Sequence, residues 1–429
     1  MLSKIISLAL NRRLGFFLFG HGTMSLLLVG RDLFVAYIWG TTEPISNFMA
    51  ALILPVIIMS VAANSLSSVL LSRYLKNKKV MPESDLRGFI NNIFGLTIVT
   101  FASLFLLSLS VTWNQQDAIY LAIYGLIFAI TAVPRTVLIA EGQDRPILIA
   151  PIIALIIGLI FLDLTYQSTG IRALALAYVT IAAVEFAILM IALRRRGLGL
   201  SFCMGRLNDF VLFRNEFSFV ATSSILMSIS IAIDQAIARS IGTNSLPHFN
   251  YATKIPAMVI GIGSGILSLY FYPRITTLIA EAKQDALKSH LKTFFIIIFG
   301  FLLPVCLLGV IFSNSIVQMI FERGAFSSDD TYAVGDVQKF LLLQLPPYFI
   351  CILASQMLVT LGRAKFIFQV AILNTALKAM ASVGLAQAFG LPGIGLANFL
   401  VQTTLALVLC LTVAQETRMM KFNHDVQVK

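Results

Sequence analysis

The feature that most constrains this chain is its long succession of apolar runs, each of a length that crosses a lipid bilayer. Of the 429 residues, 58% are hydrophobic and only 12% are charged, whereas roughly a quarter of a typical soluble domain is charged. A transmembrane helix needs roughly 20 mostly apolar residues, and continuous runs favour helices over barrel strands. The sequence therefore predicts an all-α polytopic membrane protein. Its twelve predicted spans are about 14–39, 46–72, 88–112, 118–140, 145–163, 171–193, 217–241, 247–272, 292–313, 337–361, 366–389 and 392–415.

Positively charged residues collect in alternate loops between these spans. Clusters of Lys and Arg precede span one and follow spans two, six, eight, ten and twelve, and the intervening loops are nearly free of them apart from Arg172 and Arg323. Because Lys and Arg are enriched on the cytoplasmic side, this pattern predicts a multi-pass membrane protein with both termini cytoplasmic. Membrane topology accounts for the excess of 31 Lys and Arg over 20 Asp and Glu, so we expect no nucleic-acid partner.

The sequence lacks the residue patterns that mark metal sites and common hydrolytic centres. Its four cysteines form no CxxC pair, and there is no Walker loop, no HExxH helix and no nucleophile elbow. These patterns supply thiolate ligands, a phosphate cradle, a zinc site and an activated serine, respectively. We therefore expect no metal, no cofactor and no ATP hydrolysis, and we expect a transporter instead of an enzyme.

The two halves of the chain echo each other at an offset of about 202 residues. Asp32 and Asp234 each interrupt the first span of their half, and a Gly-Thr pair follows each aspartate eight residues later. Spans six and twelve also open with similar residues, beginning at Gly170 and Gly393. An even number of spans keeps both halves in the same orientation. The repeat predicts two pseudo-symmetric six-helix lobes around a central cavity, residues 1–205 and 206–429.

Charged residues inside the spans are the leading candidates for a substrate site, because a charge at mid-membrane costs about 2.5–3.5 kcal/mol even on insertion scales. Helix geometry places Arg31, Asp234 and Lys254 at similar depth. In one interpretation these residues form a static latch, with Arg31 paired to Asp234. Lys254 would then pair with Asp32. In the other, Arg31 and Lys254 bind an anion, and the aspartates are charge partners that release them in one conformational state. Arg239 is a further charge partner or extends to the membrane surface.

One loop stands out between the ninth and tenth spans, from Phe321 to Thr331. It contains Arg323, Gly324 and Phe326, and the glycine permits a sharp turn. Ser327 is a plausible helix N-cap, followed by two aspartates in the first turn of the next helix. These features favour a capped connector at the membrane surface over a substrate contact.

This loop resembles the corresponding loop of the MurJ/MviN-type lipid II flippases, whose usual form is close to FxRGAFxxxDT. Three other stretches are similar to that family and occur in the same order: 30–40, 251–274 and 393–397. The resemblance implies a V-shaped pair of six-helix lobes around a cationic cavity, in the superfamily of polysaccharide and multidrug exporters. It also implies that a polyprenyl-diphosphate-linked sugar is turned between leaflets by alternating access, with Arg31 and Lys254 aligned to family arginines.

The chain departs from the family pattern at three positions that are usually charged. Ser25, Ser46 and Met59 stand where the family has Arg, Asp and Arg, so we expect a less cationic cavity and consider saccharide carriers other than lipid II. Ser25 and Ser46 remain possible cavity residues. Independently of the resemblance, Asn374 and Lys378 on the eleventh span either line a second groove or make contacts within the helix bundle.

Several functional hypotheses follow from these residues. The leading one is a monomeric flippase that holds a diphosphate between Arg31 and Lys254 and draws energy from the membrane potential or a coupling ion. A second is an ion-coupled multidrug or cation antiporter of the same superfamily, with Asp32, Asp234 or Glu185 as the ion site. A membrane enzyme acting on the same lipid carrier and a non-transporting scaffold are further alternatives.

Overall fold

The computed structural model describes residues 12–112, 117–203, 207–281 and 283–427, and it contains no β-strand within those ranges. The α-helices, numbered here in chain order, are α1 (Arg12–Trp39), α2 (Glu43–Ser60), α3 (Ser67–Asn77), α4 (Glu83–Thr112), α5 (Ala118–Ala140), α6 (Asp144–Thr169), α7 (Arg172–Arg194), α8 (Leu207–Ile241), α9 (Ser245–Ala252), α10 (Lys254–Ile266), α11 (Tyr272–Ala280), α12 (Gln284–Ile297), α13 (Leu303–Ile311), α14 (Ser313–Phe321), α15 (Ser328–Leu343), α16 (Leu345–Thr360), α17 (Ala364–Phe389) and α18 (Leu391–Gln427).

Eleven helical segments among the described residues are long and apolar enough to cross a membrane. The remaining predicted span, 247–272, is interrupted, because α9 ends at Ala252 and α10 begins at Lys254. Pro256 has no N–H to donate to the carbonyl of Ala252, so the helical hydrogen-bond ladder fails there. Counting this interrupted segment, the fold agrees with the predicted all-α protein of about twelve transmembrane helices.

Large apolar side chains lie on the outside of these helices. Leu164, Phe301 and Leu411 are exposed by 75%, 68% and 66%. Exposed apolar patches of this extent on a soluble protein would drive association, whereas lipid is a suitable solvent for them. The chain is therefore a multi-pass membrane protein, as the apolar runs predicted.

Two compact units make up the chain. Of the described residues, those within 1–31 and 43–232 form unit 1, and those within 32–42 and 233–429 form unit 2. Each has its own apolar core, built around residues such as Leu70 and Val133 in unit 1 and Leu345 and Leu358 in unit 2. Two helices, α1 and α8, are divided between the units, after Arg31 and after Ala232. The predicted lobe boundary at 205/206 concerns the sequence repeat and stays a prediction.

The helix that follows α2 is locally widened into a π-helix. This stretch, Val61–Leu66, joins α2 to α3, and a comparable one, Leu267–Phe271, joins α10 to α11 in the second half of the chain. A third, Ile298–Leu302, lies between α12 and α13. In unit 1, Ser65 donates a 2.8 Å hydrogen bond to Ser224 of α8. Such π-turns are frequent at functional positions in helices, so both second spans carry a distortion of that kind.

Glycines end α6 and α17 in the same unusual conformation. Gly170 has φ 60° and ψ −137°, and Gly390 has φ 66° and ψ −146°. This region is accessible essentially only to glycine. The conformational counterpart of Gly170 is thus Gly390, three residues before the Gly393 that sequence similarity suggested. The sequence similarity rested on the apolar residues that follow Gly170 and Gly393, whereas the backbone conformation pairs the turn at Gly170 with the turn at Gly390.

Candidate functional site

Lys254 forms an ion pair with Asp32 inside unit 2. The Nζ atom lies 2.9 Å from Asp32 Oδ2, with side-chain exposures of 26% for the lysine and 11% for the aspartate. The break before α10 makes Lys254 the first residue of that helix. This is one of the pairings that the sequence suggested. The partial exposure of the ammonium leaves donors available to a further acceptor, because Lys carries three.

Asp234 lies in a separate buried cluster of unit 2. Its carboxylate is 2.8 Å from Lys378 Nζ, and it accepts hydrogen bonds from Ser382 Oγ at 3.1 Å and Asn398 Nδ2 at 2.8 Å. These contacts join α8, α17 and α18. Arg31 was the partner considered from the sequence, whereas the cation beside this carboxylate is Lys378. A lone lysine on an otherwise apolar helix was the available signal, but sequence spacing did not identify its acid.

Arg31 lies in unit 1 among aromatic side chains. Its guanidinium carbon is 4.9 Å from the ring centroid of Tyr178 on α7. Tyr178 is in turn packed edge-on against Phe48 of α2 and Tyr124 of α5, with centroids 5.7 and 5.1 Å away. An arginine over an aromatic face is held by a cation–π interaction. An arginine side chain carries five N–H donors in one planar group.

An ion pair within unit 1 was not among the pairings considered from the sequence. Arg135 of α5 pairs with Glu185 of α7, and the glutamate is buried. Among the residues the structure describes, the buried Arg135 Nε has no hydrogen-bond partner. The signal that could have found the pair is that both charges interrupt otherwise apolar spans. The pair fastens α5 to α7.

The loop after α14 is hydrogen-bonded to the end of α1 within unit 2. Ser327 caps α15, and its side chain and that of Asp330 form a reciprocal capping box, which confirms the N-cap prediction. Asp330 Oδ1 also accepts from Thr41 Oγ1 at 2.6 Å and lies 2.7 Å from His248 Nε2. On the backbone, Ala325 N–H donates to Tyr37 O at 2.9 Å. The loop is therefore more than a capped connector.

The three loop residues singled out from the sequence have different surroundings. Phe326 is 2% exposed and packs edge-on against Tyr251, with ring centroids 5.7 Å apart. Gly324 has φ 61°, and an added Cβ would overlap the carbonyl oxygen of Tyr37. Arg323 is exposed and donates to Met319 O at 3.0 Å. Phe326 and Gly324 thus serve packing and close approach.

The remaining candidates are distributed over several helices. Ser46 on α2 is buried, and Ser25 on α1 is partly exposed. Asn374 lies on α17 one turn before Lys378 and is partly exposed. Arg239 Nη1 lies 3.4 Å from Thr243 O, close to the end of α8.

Metal chemistry has no obvious centre in the part of the chain that the structure describes. No group of three or more His, Cys, Asp or Glu side chains there could hold a metal ion. The described polar clusters contain ammonium, guanidinium and carboxylate groups within transmembrane helices. Such residues are costly in a membrane and mark substrate or ion pathways by default.

Comparison with known families agrees with the resemblance seen in the sequence. A family model described as "Lipid II flippase MurJ" matches residues 35–424. Proteins named "Probable lipid II flippase MurJ" from two Helicobacter pylori strains are each 27% identical over 172 residues, which is 40% of this chain. The alignment spans only 37% of the length of those curated relatives.

Solved structures share the fold at low sequence identity. A lipid II flippase MurJ in an inward closed conformation aligns with a TM-score of 0.77 and 16% identity, covering 96% of this chain and 90% of the other. An inward-facing multidrug resistance transporter of the MATE family, in the MOP superfamily, aligns with a TM-score of 0.69 and 16% identity, covering 93% and 95%. The fold is therefore common to flippases and drug transporters, and fold alone does not choose between them.

Proposed function

Because the chain belongs to the lipid II flippase family, whose model matches residues 35–424, we propose that it moves a polyprenyl-diphosphate-linked oligosaccharide across the bacterial cytoplasmic membrane by alternating access. The diphosphate is the part of such a substrate that a membrane protein must neutralise, because charges are costly in lipid. The saccharide is lipid II or another cell-envelope glycan precursor. Ser25 and Ser46 are uncharged and stand at positions where the family usually has a charged residue. Both lipid II and other saccharide carriers are therefore candidate substrates.

The observation that carries this proposal is the ion pair between Lys254 and Asp32. The two side chains lie 2.9 Å apart at an interruption in a membrane segment, and the lysine is partly exposed. A diphosphate carries more negative charge than one carboxylate, so it competes with Asp32 for the ammonium. We expect Asp32 to reclaim Lys254 when the substrate leaves, which lowers the cost of an unpaired charge in the membrane.

Arg31 is the second proposed phosphate-binding residue. Its guanidinium is oriented by the Tyr178 ring at 4.9 Å, and an arginine can bind two phosphate oxygens at once. Lys254 acts instead as a point charge. Arg31 would therefore bind phosphate oxygens in a fixed plane, and Lys254 would bind them as a single positive charge.

The source of energy is a finer part of the proposal. Asp234 already faces Lys378, Ser382 and Asn398, so an ion-coupled antiporter that uses its carboxylate as a cation site would first have to displace the protein's own ammonium. This arrangement favours the membrane potential, or a coupling ion bound elsewhere. Moving one charge through ~100 mV changes its free energy by about 2.3 kcal/mol.

The proposed orientation follows from the loops. We place the clusters of Lys and Arg in the cytoplasm together with both termini. Examples are the end of α3 with the turn after it, Lys76, Lys78 and Lys79, and the end of α7 with the turn after it, Arg194, Arg195 and Arg196. A single chain is proposed as the transport unit, because both candidate cations lie within it.

A reconstituted flipping assay tests the proposal. Liposomes containing the protein are given fluorescent polyprenyl-diphosphate saccharides, and binding and flipping are measured separately. Lys254→Ala is expected to weaken binding about 10- to 100-fold, since a hydrogen bond to a charged group contributes about 1.5–3 kcal/mol. Arg31→Ala should also weaken binding, while Asp32→Asn should preserve or tighten it because the competing carboxylate charge is gone.

Lys339→Ala is the matched control. This lysine is also paired with an aspartate, Asp336, at 2.7 Å, but it lies on α15 within one helix turn of its partner. Its removal should leave binding unchanged. Folded protein that flips no saccharide carrier would refute the proposal. Ion-dependent dye efflux lost in Asp234→Asn would indicate an antiporter, and product formation from the lipid carrier would indicate an enzyme.

A further inference from the structure

The C-terminal end of α1 is fastened to the same loop that anchors the chain leading to Lys254. We propose that the segment Phe321–Thr331, together with His248 and Tyr251, is a clasp that positions Asp32 against Lys254. This inference rests on the proposed function for its transport consequence, and on unit 2 alone for its geometry. It assigns a positioning role to the most family-specific motif of the chain.

The first part of the clasp binds backbone carbonyls near the end of α1. The last carbonyls of a helix have no partner within it. Ala325 N–H donates to Tyr37 O at 2.9 Å, and the hydroxyl of Tyr251 donates to Gly40 O at 3.1 Å. An added Cβ on Gly40 would overlap the carbonyl oxygen of Ala325, and Gly324 approaches Tyr37 equally closely. Two glycines thus permit the backbones to meet.

The second part is the carboxylate of Asp330. It accepts from Thr41 Oγ1 at 2.6 Å and lies 2.7 Å from His248 Nε2. Its other oxygen accepts from the backbone N–H and the hydroxyl of Ser327, both at 2.8 Å. One buried carboxylate therefore joins the residues after α1, helix α9, the loop and the start of α15. Removing it would leave several donors in a poorly solvated place without an acceptor.

The third part is an aromatic cluster that fixes α9 to the loop. Tyr251 packs against Phe321 and Phe326 with ring centroids 5.5 and 5.7 Å apart, and the two phenylalanine rings are 5.8 Å apart. Tyr251 lies three residues before Lys254, with the chain continuous through Thr253. The clasp consequently contacts both segments that carry the ion pair.

Positioning follows from the short distances along the chain. Asp32 precedes the end of α1 at Trp39 by seven residues, or ~10 Å along the helix. A change in the clasp therefore moves the end of α1 relative to α9 and separates Asp32 from Lys254. Because Asp32 is proposed to reclaim Lys254 from the departing diphosphate, a loosened clasp should slow turnover without weakening substrate binding. Loss of Lys254 itself should weaken binding, so the two roles are separable.

A reversible covalent clasp tests this inference. Thr41→Cys and Asp330→Cys are introduced together after Cys203, Cys306, Cys351 and Cys410 are replaced by Ser or Ala. In the reduced state we expect flipping to fall about tenfold with unchanged substrate affinity. Oxidation to the disulfide should restore the flipping rate, and reductant should lower the rate again to the value of the reduced variant. Each single-cysteine variant, treated with the same oxidant, is the control and should show no recovery.

A second readout does not require transport. The acylation of Lys254 Nζ by an amine-reactive reagent is measured by mass spectrometry. It should rise severalfold when the engineered 41–330 disulfide is reduced, and it should fall to its earlier level when the disulfide forms again. His248→Gln, which retains a donor, should show a smaller rise and keeps the test available if the double variant does not fold. Equal acylation of Lys254 in the reduced and the oxidised double-cysteine variant would overturn the inference. If acylation of Lys254 depends on the disulfide but the protein flips no saccharide carrier, only the proposed function would be overturned.

Discussion

At the scale of single residues, the chain holds its membrane-embedded charges in specific pairs. Lys254 faces Asp32, and Lys378 faces Asp234 together with two neutral donors. Breaking a buried pair leaves an uncompensated charge, whereas removing both members at once does not. The sequence showed that these charges needed partners, because each interrupts an apolar span, but it could not say which acid belonged to which base.

We predict strong coupling between Asp234 and Lys378. Asp234→Ala and Lys378→Ala should each lower the free energy of unfolding by about 3–5 kcal/mol, because each leaves one buried charge alone. The double variant should cost clearly less than the sum, since the second substitution removes that orphaned charge. Unfolding of the purified protein in detergent, followed by a double-mutant cycle, measures the coupling.

The matched control for this cycle is the partly exposed pair Lys339–Asp336, whose charged atoms are 2.7 Å apart. Its coupling should be about 0–1 kcal/mol, as is usual for solvent-exposed pairs. Additive costs for Asp234 and Lys378 would contradict the interpretation that their ion pair is a buried structural unit.

At the scale of helices and loops, sterics around glycine decide how closely elements approach. The sequence predicted a sharp turn at Gly324 and a helix cap at Ser327, and the capping box is present. It could not predict that the backbone of Tyr37 would lie against Gly324, because that contact joins distant segments. Capping depends on neighbours a few residues apart and is therefore visible in the sequence.

We predict that Gly324→Ala is more damaging than Gly142→Ala, just after the end of α5. Both glycines have positive φ, 61° and 68°, so each substitution should cost roughly 1–2 kcal/mol in backbone strain. An added Cβ at Gly142 meets nothing within 4 Å, whereas at Gly324 it overlaps the Tyr37 carbonyl. The overlap should add about 1–3 kcal/mol. Thermal unfolding of both variants makes the comparison, and equal losses would contradict the proposed close approach.

At the scale of the whole molecule, the internal repeat reappears in the way helices are divided between units. Unit 1 contains α1 up to Arg31 and α8 up to Ala232, and unit 2 contains the rest of each. The two division points are 201 residues apart, at 31 and 232, which matches the offset found in the sequence. The division points therefore fall at related places in the sequence repeat, while the boundary between lobes at 205/206 stays a prediction.

We predict opposite membrane sides for the loop after α3 and the loop after α8. In a cysteine-free background, Thr243→Cys should react with an impermeant maleimide on intact cells. Val80→Cys, at a position that is 85% exposed, should react only after permeabilisation, because basic loops are retained in the cytoplasm. The reverse labelling pattern would overturn the proposed orientation.

The sequence by itself determined the helical class, the approximate number of spans and the capped loop. These properties depend on apolar length and on hydrogen bonds between near neighbours. Only the tertiary structure decided that Asp234 faces Lys378, that Asp330 serves Thr41 and His248, and that α1 is divided after Arg31. Contacts between distant segments depend on how helices pack, and several pairings of acids and bases satisfy the same linear pattern of charges.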